Sequence, residues 1–251
     1  MACNKLLHLT IARSLSVAVI FAGLPAAAQA ASETWVLDNL KALGKRSVTV
    51  EGAPRVICAE GHRAIAFDGA HDSLFVKGRP LVGASRFTIE ALIRPDGGAV
   101  EQRFLHVAET DPVTGQDVRA FGAEHDVNHR IMFELRMGPG NFFIDGFLNS
   151  KAGAVALAVP EKVHPTGEWH VLTQTYDGTT YRTYVDGILQ GEVATGFEPQ
   201  GPGNVRIGSR MNHVSYFKGA ISRIRFSDRA LRPDQFMSAA TGIKASCAGH
   251  Q

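Results

Sequence analysis

The chain is built from short runs of alternating hydrophobic and polar residues, cut by glycine, proline, asparagine and aspartate, so its dominant period is two. Residues 87–94 (FTIEALIR) show this best. Phe87, Ile89, Ala91 and Ile93 fall on one face and Thr88, Glu90, Leu92 and Arg94 on the other, and Pro95-Asp96-Gly97-Gly98 stops the run. The same reasoning predicts strands at 47–50, 55–58, 64–68, 73–76, 102–109, 130–137, 169–176, 181–186, 188–193, 205–208 and 220–226. Residues 142–148 form another candidate, broken by Asp145-Gly146, and 152–159 reads as strand or loop. Asp-Gly between two β-rich runs marks a tight hairpin, and it occurs at Asp177-Gly178 and at Asp186-Gly187. Five runs between 169 and 226 at a spacing of about 8–12 residues, with no helical period, predict an all-β fold of two antiparallel sheets. Two exceptions are expected. Residues 32–44, with Trp35, Leu37, Leu40, Leu43 and then Gly44, predict a short helix packed on the sandwich edge, and 232–237 predict a closing helical turn.

The first thirty residues read differently. Lys5 and Arg13 precede a mostly apolar run at 15–24, and Ala28-Gln29-Ala30 fits a small-x-small cleavage site. This is the pattern of a secretory signal peptide. The run is too short to span a bilayer, so the expectation is a periplasmic or extracellular protein with no membrane span. Residues 31–46 are then an N-terminal segment and 47–251 one β-sandwich domain. With 45% hydrophobic residues, 20% charged residues and a net charge of +2, the chain lacks the concentrated positive charge of a nucleic-acid binder. Cys3 leaves with the signal peptide. Cys58 and Cys247 remain, an even pair in an oxidising compartment: a disulfide is the default reading and two buried thiols the alternative.

Trp169-His170, Thr175-Tyr176-Asp177-Gly178 and Tyr184-Val185-Asp186-Gly187 resemble the W-H and Y-V-D-G signature of laminin-G-like domains. Ile207-Gly208, Tyr216-Phe217-Lys218-Gly219-Ala220-Ile221 and Arg229-Ala230-Leu231 continue the pattern in order, and Phe67-Asp68-Gly69 and Phe87-Thr88-Ile89-Glu90 match its front half. The resemblance places the chain in the concanavalin A-like lectin/glucanase superfamily and implies a jelly roll of two curved sheets. It also implies first and last strands side by side, which would bring Cys58 and Cys247 together. Function does not follow, because one fold hosts many activities.

Candidate chemistry clusters in three places. If Ile131, Phe133 and Leu135 face the core, then Arg130, Met132, Glu134 and Arg136 face outward, and Arg103 and His106 lie on the preceding strand. Together they make a concave polar face suited to a sugar, or an ordinary solvated strand face with cross-strand charge pairs. Gln174 stands between Leu172 and Tyr176, where the family carries an aliphatic: it is either a satisfied core residue or a ligand contact. Arg210 and Asn212 sit in the loop before the last strand, a plausible rim for a glycan. For metals, the resemblance implies a calcium ion at a sandwich rim; Asp68 and Asp72, which bracket a Gly turn, and Asp111, Asp117 and Asp126 in the long polar segment 110–129 are either its ligands or turn formers.

The Gln102/His106, Glu134-Leu135-Arg136 and Tyr216 combination is similar to that of jelly-roll alginate lyases, with a different order along the chain. In such a lyase His106 would take the C5 proton and Arg136 would neutralise the carboxylate. Paired carboxylates at glycosidase spacing are missing from the sequence, as is a Gly-rich phosphate loop. The expected function is an exported, non-catalytic module that binds a polysaccharide, another glycan or a protein partner. A polysaccharide lyase or hydrolase using His106, Glu134 and Arg136 is the competing class, and a protein-binding module of the cell envelope the third.

Overall fold

A computed structural model describes Met1, residues 32–110, 129–150 and 152–239, and Cys247. The expected signal peptide and most of the polar segment 110–129, with Asp111, Asp117 and Asp126, lie outside the described residues. Strands are numbered in chain order. They are β1 (Ser32–Val36), β2 (Ala42–Leu43), β3 (Arg46–Glu51), β4 (Arg55–Ala59), β5 (His62–Asp68), β6 (Ser73–Val76), β7 (Phe87–Pro95), β8 (Glu101–Glu109) and β9 (Arg130–Gly138). Then follow β10 (Asn141–Ser150), β11 (Gly153–Ala158), β12 (His164–Pro165), β13 (His170–Tyr176), β14 (Thr180–Val185), β15 (Ile188–Ala194), β16 (Gly203–Ile207) and β17 (Lys218–Ser227). A 3₁₀ turn at Pro233–Gln235 is the predicted closing turn.

Two antiparallel sheets face each other. One runs β15-β14-β13-β7-β17-β5-β4, with β1 also on β17; the other runs β11-β10-β9-β8-β16-β6-β3-β2, with β12 on β10. Their inner faces meet in a core of aromatic and branched residues, among them Trp35, Phe87, Phe104, Phe133, Phe142, Phe217 and Phe226. The Asp-Gly turns form as expected. Asp177 Oδ1 accepts from the N–H groups of Thr179 and Thr180, and Asp186 and Gly187 both take positive φ, the geometry that lets a tight turn follow the strand twist. Among the described residues no helix is long and apolar enough to cross a membrane.

Two expectations change. Residues 32–44 form no helix: β1 pairs with β17, and Trp35 and Leu37 are buried on either side of exposed Val36, which is strand alternation. Trp35 meets Phe226 edge-on at 4.8 Å, so the edge of the sheet captures the segment. Asp145-Gly146 does not break β10, because Asp145 bonds to Arg136 on β9 and Gly146 pairs with Phe133 in an unbroken ladder. The second face of β7 is covered as well. Thr88 and Glu90 are fully buried under the C-terminal segment, where Thr88 Oγ1 donates to the Arg229 carbonyl and Glu90 accepts from the Met237 N–H and from Arg225.

Cys58, on the edge strand β4, is joined to Cys247, with Cα atoms 5.9 Å apart, inside the disulfide range. The bridge ties the C-terminal tail to that edge.

Candidate functional site

The outward side of the larger sheet carries most of the polar residues singled out above. On β9, Ile131, Phe133 and Leu135 enter the core while Glu134 and Arg136 point away. β8 lies beside it, with Arg103 opposite Glu134 and His106 opposite Met132. Strand alternation alone would put residues three apart on opposite faces. A bulge between Arg103 and Leu105 absorbs the odd residue, so Arg103 and His106 share one face. The Arg103 N–H, displaced by the bulge, donates to the Ser215 carbonyl at 2.8 Å.

These charges neutralise one another. Arg103 bonds Glu101 and lies 3.0 Å from Glu134; Arg136 reaches Asp145 at 2.7 Å, Glu101 at 3.2 Å and Glu134 at 3.6 Å. Burial raises the Glu134 carboxyl above its usual range and Asp145 adds to this, against the pull of Arg103. With 3% of its residue surface exposed, this carboxyl has two guanidinium groups, Arg103 and Arg136, to compensate its charge.

His106 is wholly buried, and its Nδ1 accepts the Met211 N–H at 2.9 Å. Burial, and then the positive charges of Arg130, Arg210, Arg103 and Arg206, hold the imidazole neutral, well below its ordinary pKa. It anchors the 208–217 loop and is not exposed to a substrate, which corrects its reading as a ligand contact or base. It also stands opposite Met132, four residues along β9 from Arg136, or about 13 Å of strand, too far to share one sugar ring.

Of the two readings of Gln174, the structure takes the core one. It is fully buried between the sheets, and its Nε2 donates to the Met132 carbonyl of the opposing sheet at 2.8 Å. In the 208–217 loop Asn212 is exposed and Arg210 half-buried, while Met211 is inserted beneath. The structure therefore keeps Arg103, Glu134 and Arg136 as one cluster and places Arg210 and Asn212 at a separate loop tip.

Asp68 and Asp72 come together, but their oxygens are engaged. Asp68 Oδ1 accepts from the N–H groups of Ala70, His71 and Asp72, and Asp72 accepts from the N–H groups of Ala53 and Asp68. Burial pushes the Asp68 carboxyl up, but the N–H groups of His71, Ala70 and Asp72 outweigh it and bring it to about 2. Carboxylates wrapped by main-chain donors form a turn, and this pair does not fit a calcium ion. Among the described residues no group of three or more His, Cys, Asp or Glu is placed to hold a metal.

Sequence reasoning missed the aromatic half of this face. On β10, Phe143 lies opposite Arg136 and Phe147 opposite Met132; both are part-exposed and flank Asp145. The Arg130 guanidinium stacks on Phe147 at 4.9 Å. On the next strand, β11, the small Ala156 and Ala158 lie opposite Phe147 and Asp145. The signal was present as Phe143, Asp145 and Phe147 at alternate positions, hidden by reading Asp145-Gly146 as a break in the strand.

Residues 68–236 match the family model Laminin_G_3, described as concanavalin A-like lectin/glucanases superfamily. The chain belongs to that superfamily. No curated protein matches it. Solved structures that resemble this concanavalin A-like sandwich include domain 4 of AbnA, a GH43 extracellular arabinanase from Geobacillus stearothermophilus, in complex with arabinotriose. That likeness has a TM-score of 0.59 and 16% identity, covering 82% of this chain and 96% of the other. The receptor binding domain of botulinum neurotoxin type G gives 0.54 and 9%, over 81% and 49% of the two chains. Trypanosoma rangeli sialidase in complex with the inhibitor DANA gives 0.53 and 14%, over 80% and 31%. At these identities the likeness establishes the concanavalin A-like fold.

Proposed function

We propose that this protein is an exported, non-catalytic carbohydrate-binding domain, and that a glycan lies across the outward face of the larger sheet. The observation that carries the reading is the pair Phe143 and Phe147. They stand four residues apart on one face of β10, about 13 Å of strand, with the Arg136–Asp145–Glu134–Arg103–Glu101 network beside them. Sugar rings offer an apolar C–H face to an aromatic ring and hydroxyls to charged groups at its edge, and this face supplies both. The polar groups are arranged for holding. Glu134 is clamped between arginines and His106 is sealed under its loop, so neither is free to move a proton to or from a bound sugar. The leader-like first thirty residues and the Cys58–Cys247 bridge support export to an oxidising compartment. The carbohydrate complex of the arabinanase domain supports the ligand class by analogy of fold.

The test is retention of residues 31–251 on a polysaccharide panel, with and without calcium, while unsaturated products and reducing ends are followed. Phe143→Ala and Phe147→Ala are each expected to weaken the retained glycan by about tenfold, the loss of one aromatic stacking contact. Product formation that vanishes in His106→Ala and Arg136→Ala would overturn the reading and make this an enzyme. Retention lost on chelation would restore a calcium site, and failure on every glycan would move the reading to a protein partner.

A further inference from the structure

The edge of a β-sheet presents unpaired N–H and C=O groups, and a chain that stays monomeric blunts it with charge, proline, a bulge, brevity or a cover. Most edges of this sandwich are blunted in one of these ways. β15 closes one side of the smaller sheet with a bulge at Gln190 and with exposed Glu192, which Arg182 holds. β4 closes the other side with exposed Arg55 and with the Cys58–Cys247 bridge. β1 carries Glu33, β2 has two residues, and β12 has two of which one is Pro165.

β11, the outermost strand of the larger sheet, has none of these guards. Gly153–Ala158 holds no charge and no proline, and its ladder with β10 runs unbroken from Gly153 to Ala158. Among the described residues no strand pairs with its other side. Val155 and Leu157 pack inward on the core, while Ala154, Ala156 and Ala158 are exposed. The rim close by adds apolar surface. Val163 is 50% exposed and Ile188 67%, and Lys162 Nζ, bonded to the Leu189 carbonyl at 2.7 Å, holds the two segments together.

The order of residues along this edge says what fits it. Ala154-Val155-Ala156-Leu157-Ala158 reads nearly the same in both directions, so an antiparallel copy of the strand matches it. Pairing about Ala156 sets Ala154 opposite the partner's Ala158 and Val155 opposite the partner's Leu157, which keeps core sides together and outward sides together. Lys151 stands five residues before Ala156 and Glu161 five after it, so opposite charges fall at matching distances from the centre. We infer that β11 is a self-association edge: two copies of this chain pair antiparallel about a two-fold axis through Ala156 and join their larger sheets into one. Such a pair is closed, because each copy uses its own β11 and leaves no further β11 edge open. Phe147 lies opposite Ala156 in the β10–β11 ladder, so the two outward faces become one surface. Its Phe147 positions are three strand spacings, about 14 Å, apart. A ladder this short is a small interface, so the pair forms and separates with concentration.

The experiment is sedimentation velocity of residues 31–251 over a series reaching about 300 μM, where weak interfaces fill. The mass is expected to climb from monomer towards dimer along the series. Ala156→Lys sets two ammonium groups opposite each other from an exposed position, so the fold stays and the dissociation constant is expected to rise at least about tenfold. Residues directly opposite in an antiparallel pair have Cα atoms about 4.5–5.5 Å apart, within reach of a disulfide. Ala156→Cys is therefore expected to give a covalent dimer on mild oxidation. Ala154→Cys, which faces the partner's Ala158 and not its own copy, is expected to stay unlinked. A protein monomeric at every concentration, a folded Ala156→Lys variant with an unchanged dissociation constant, or equal cross-linking of the two cysteine variants each overturns the proposal.

Discussion

Gly146→Ala tests the packing that supports the binding face, and it has a sign that sequence alone would get wrong. Gly146 lies mid-strand, opposite Phe133 on β9 and Leu157 on β11, and its φ is not positive. Alanine therefore fits the backbone, and in a strand it should stabilise by about 0.5–1 kcal/mol relative to glycine. The tertiary structure says otherwise. A Cβ there would stand 2.6 Å from Thr183 Cγ2, 2.6 Å from the Tyr181 hydroxyl and 3.2 Å from Gln174 Nε2. Carbon contacts are comfortable at about 3.5–4.0 Å, so two groups must each retreat by about 1 Å. Neither has room, since Tyr181 and Gln174 are fully buried and Thr183 is 1% exposed. Overpacking of this kind costs about 1–3 kcal/mol, which leaves a net loss of about 1–2 kcal/mol after the backbone gain. For a domain of this size that is a fall in Tm of about 2–8 °C. Urea unfolding should show a lower midpoint at an unchanged slope. The Tyr181 hydroxyl has no hydrogen-bond partner among the described residues, so Tyr181→Phe alone should be neutral or stabilise by about 1 kcal/mol. Combined with Gly146→Ala it should recover part of the loss, a coupling of about 1 kcal/mol. A Gly146→Ala protein as stable as the parent, or more so, would refute the reasoning.

Replacing Cys58 by Ser, or reducing the bridge, should lower stability by on the order of 2–5 kcal/mol, read as a shift in the urea midpoint between oxidised and reduced samples. His170 should make stability fall with rising pH. Burial disfavours its charged form, but Asp186 at 2.8 Å, the Pro165 carbonyl and Glu168 outweigh that and raise its pKa above 6.5. A base with a raised folded pKa stabilises fully below its unfolded pKa and loses that contribution as pH rises through the folded value. Urea midpoints should therefore decline on the alkaline side of 6.5 in the parent and flatten in Asp186→Asn. Arg103→Met removes the partner of buried Glu134 and the anchor of Ser215, and should cost about 3–5 kcal/mol in denaturant titration. It should also raise amide exchange in the 208–217 loop.

What the sequence determined by itself was local. Alternation placed β6 and most other strands within a residue or two, because a strand half-buried in a sheet must repeat every second residue. Asp-Gly turns placed two hairpins, because positive φ is cheap there. The facing of Ile131, Phe133 and Leu135 against Glu134 and Arg136 followed from the same period. What only the tertiary structure decided depended on partners far along the chain. β1 is a strand because β17, nearly two hundred residues on, offers it an edge. His106 is sealed because Met211 bonds it, and Arg103 shares its face because a bulge shifts the register. Gln174 belongs to the core because Met132 of the other sheet accepts its amide, and Arg79 is buried where the Gln200 side chain, over a hundred residues on, accepts from it. No local pattern encodes these pairings, because each partner is supplied by register and sheet order, which the residue's own neighbours in sequence do not set.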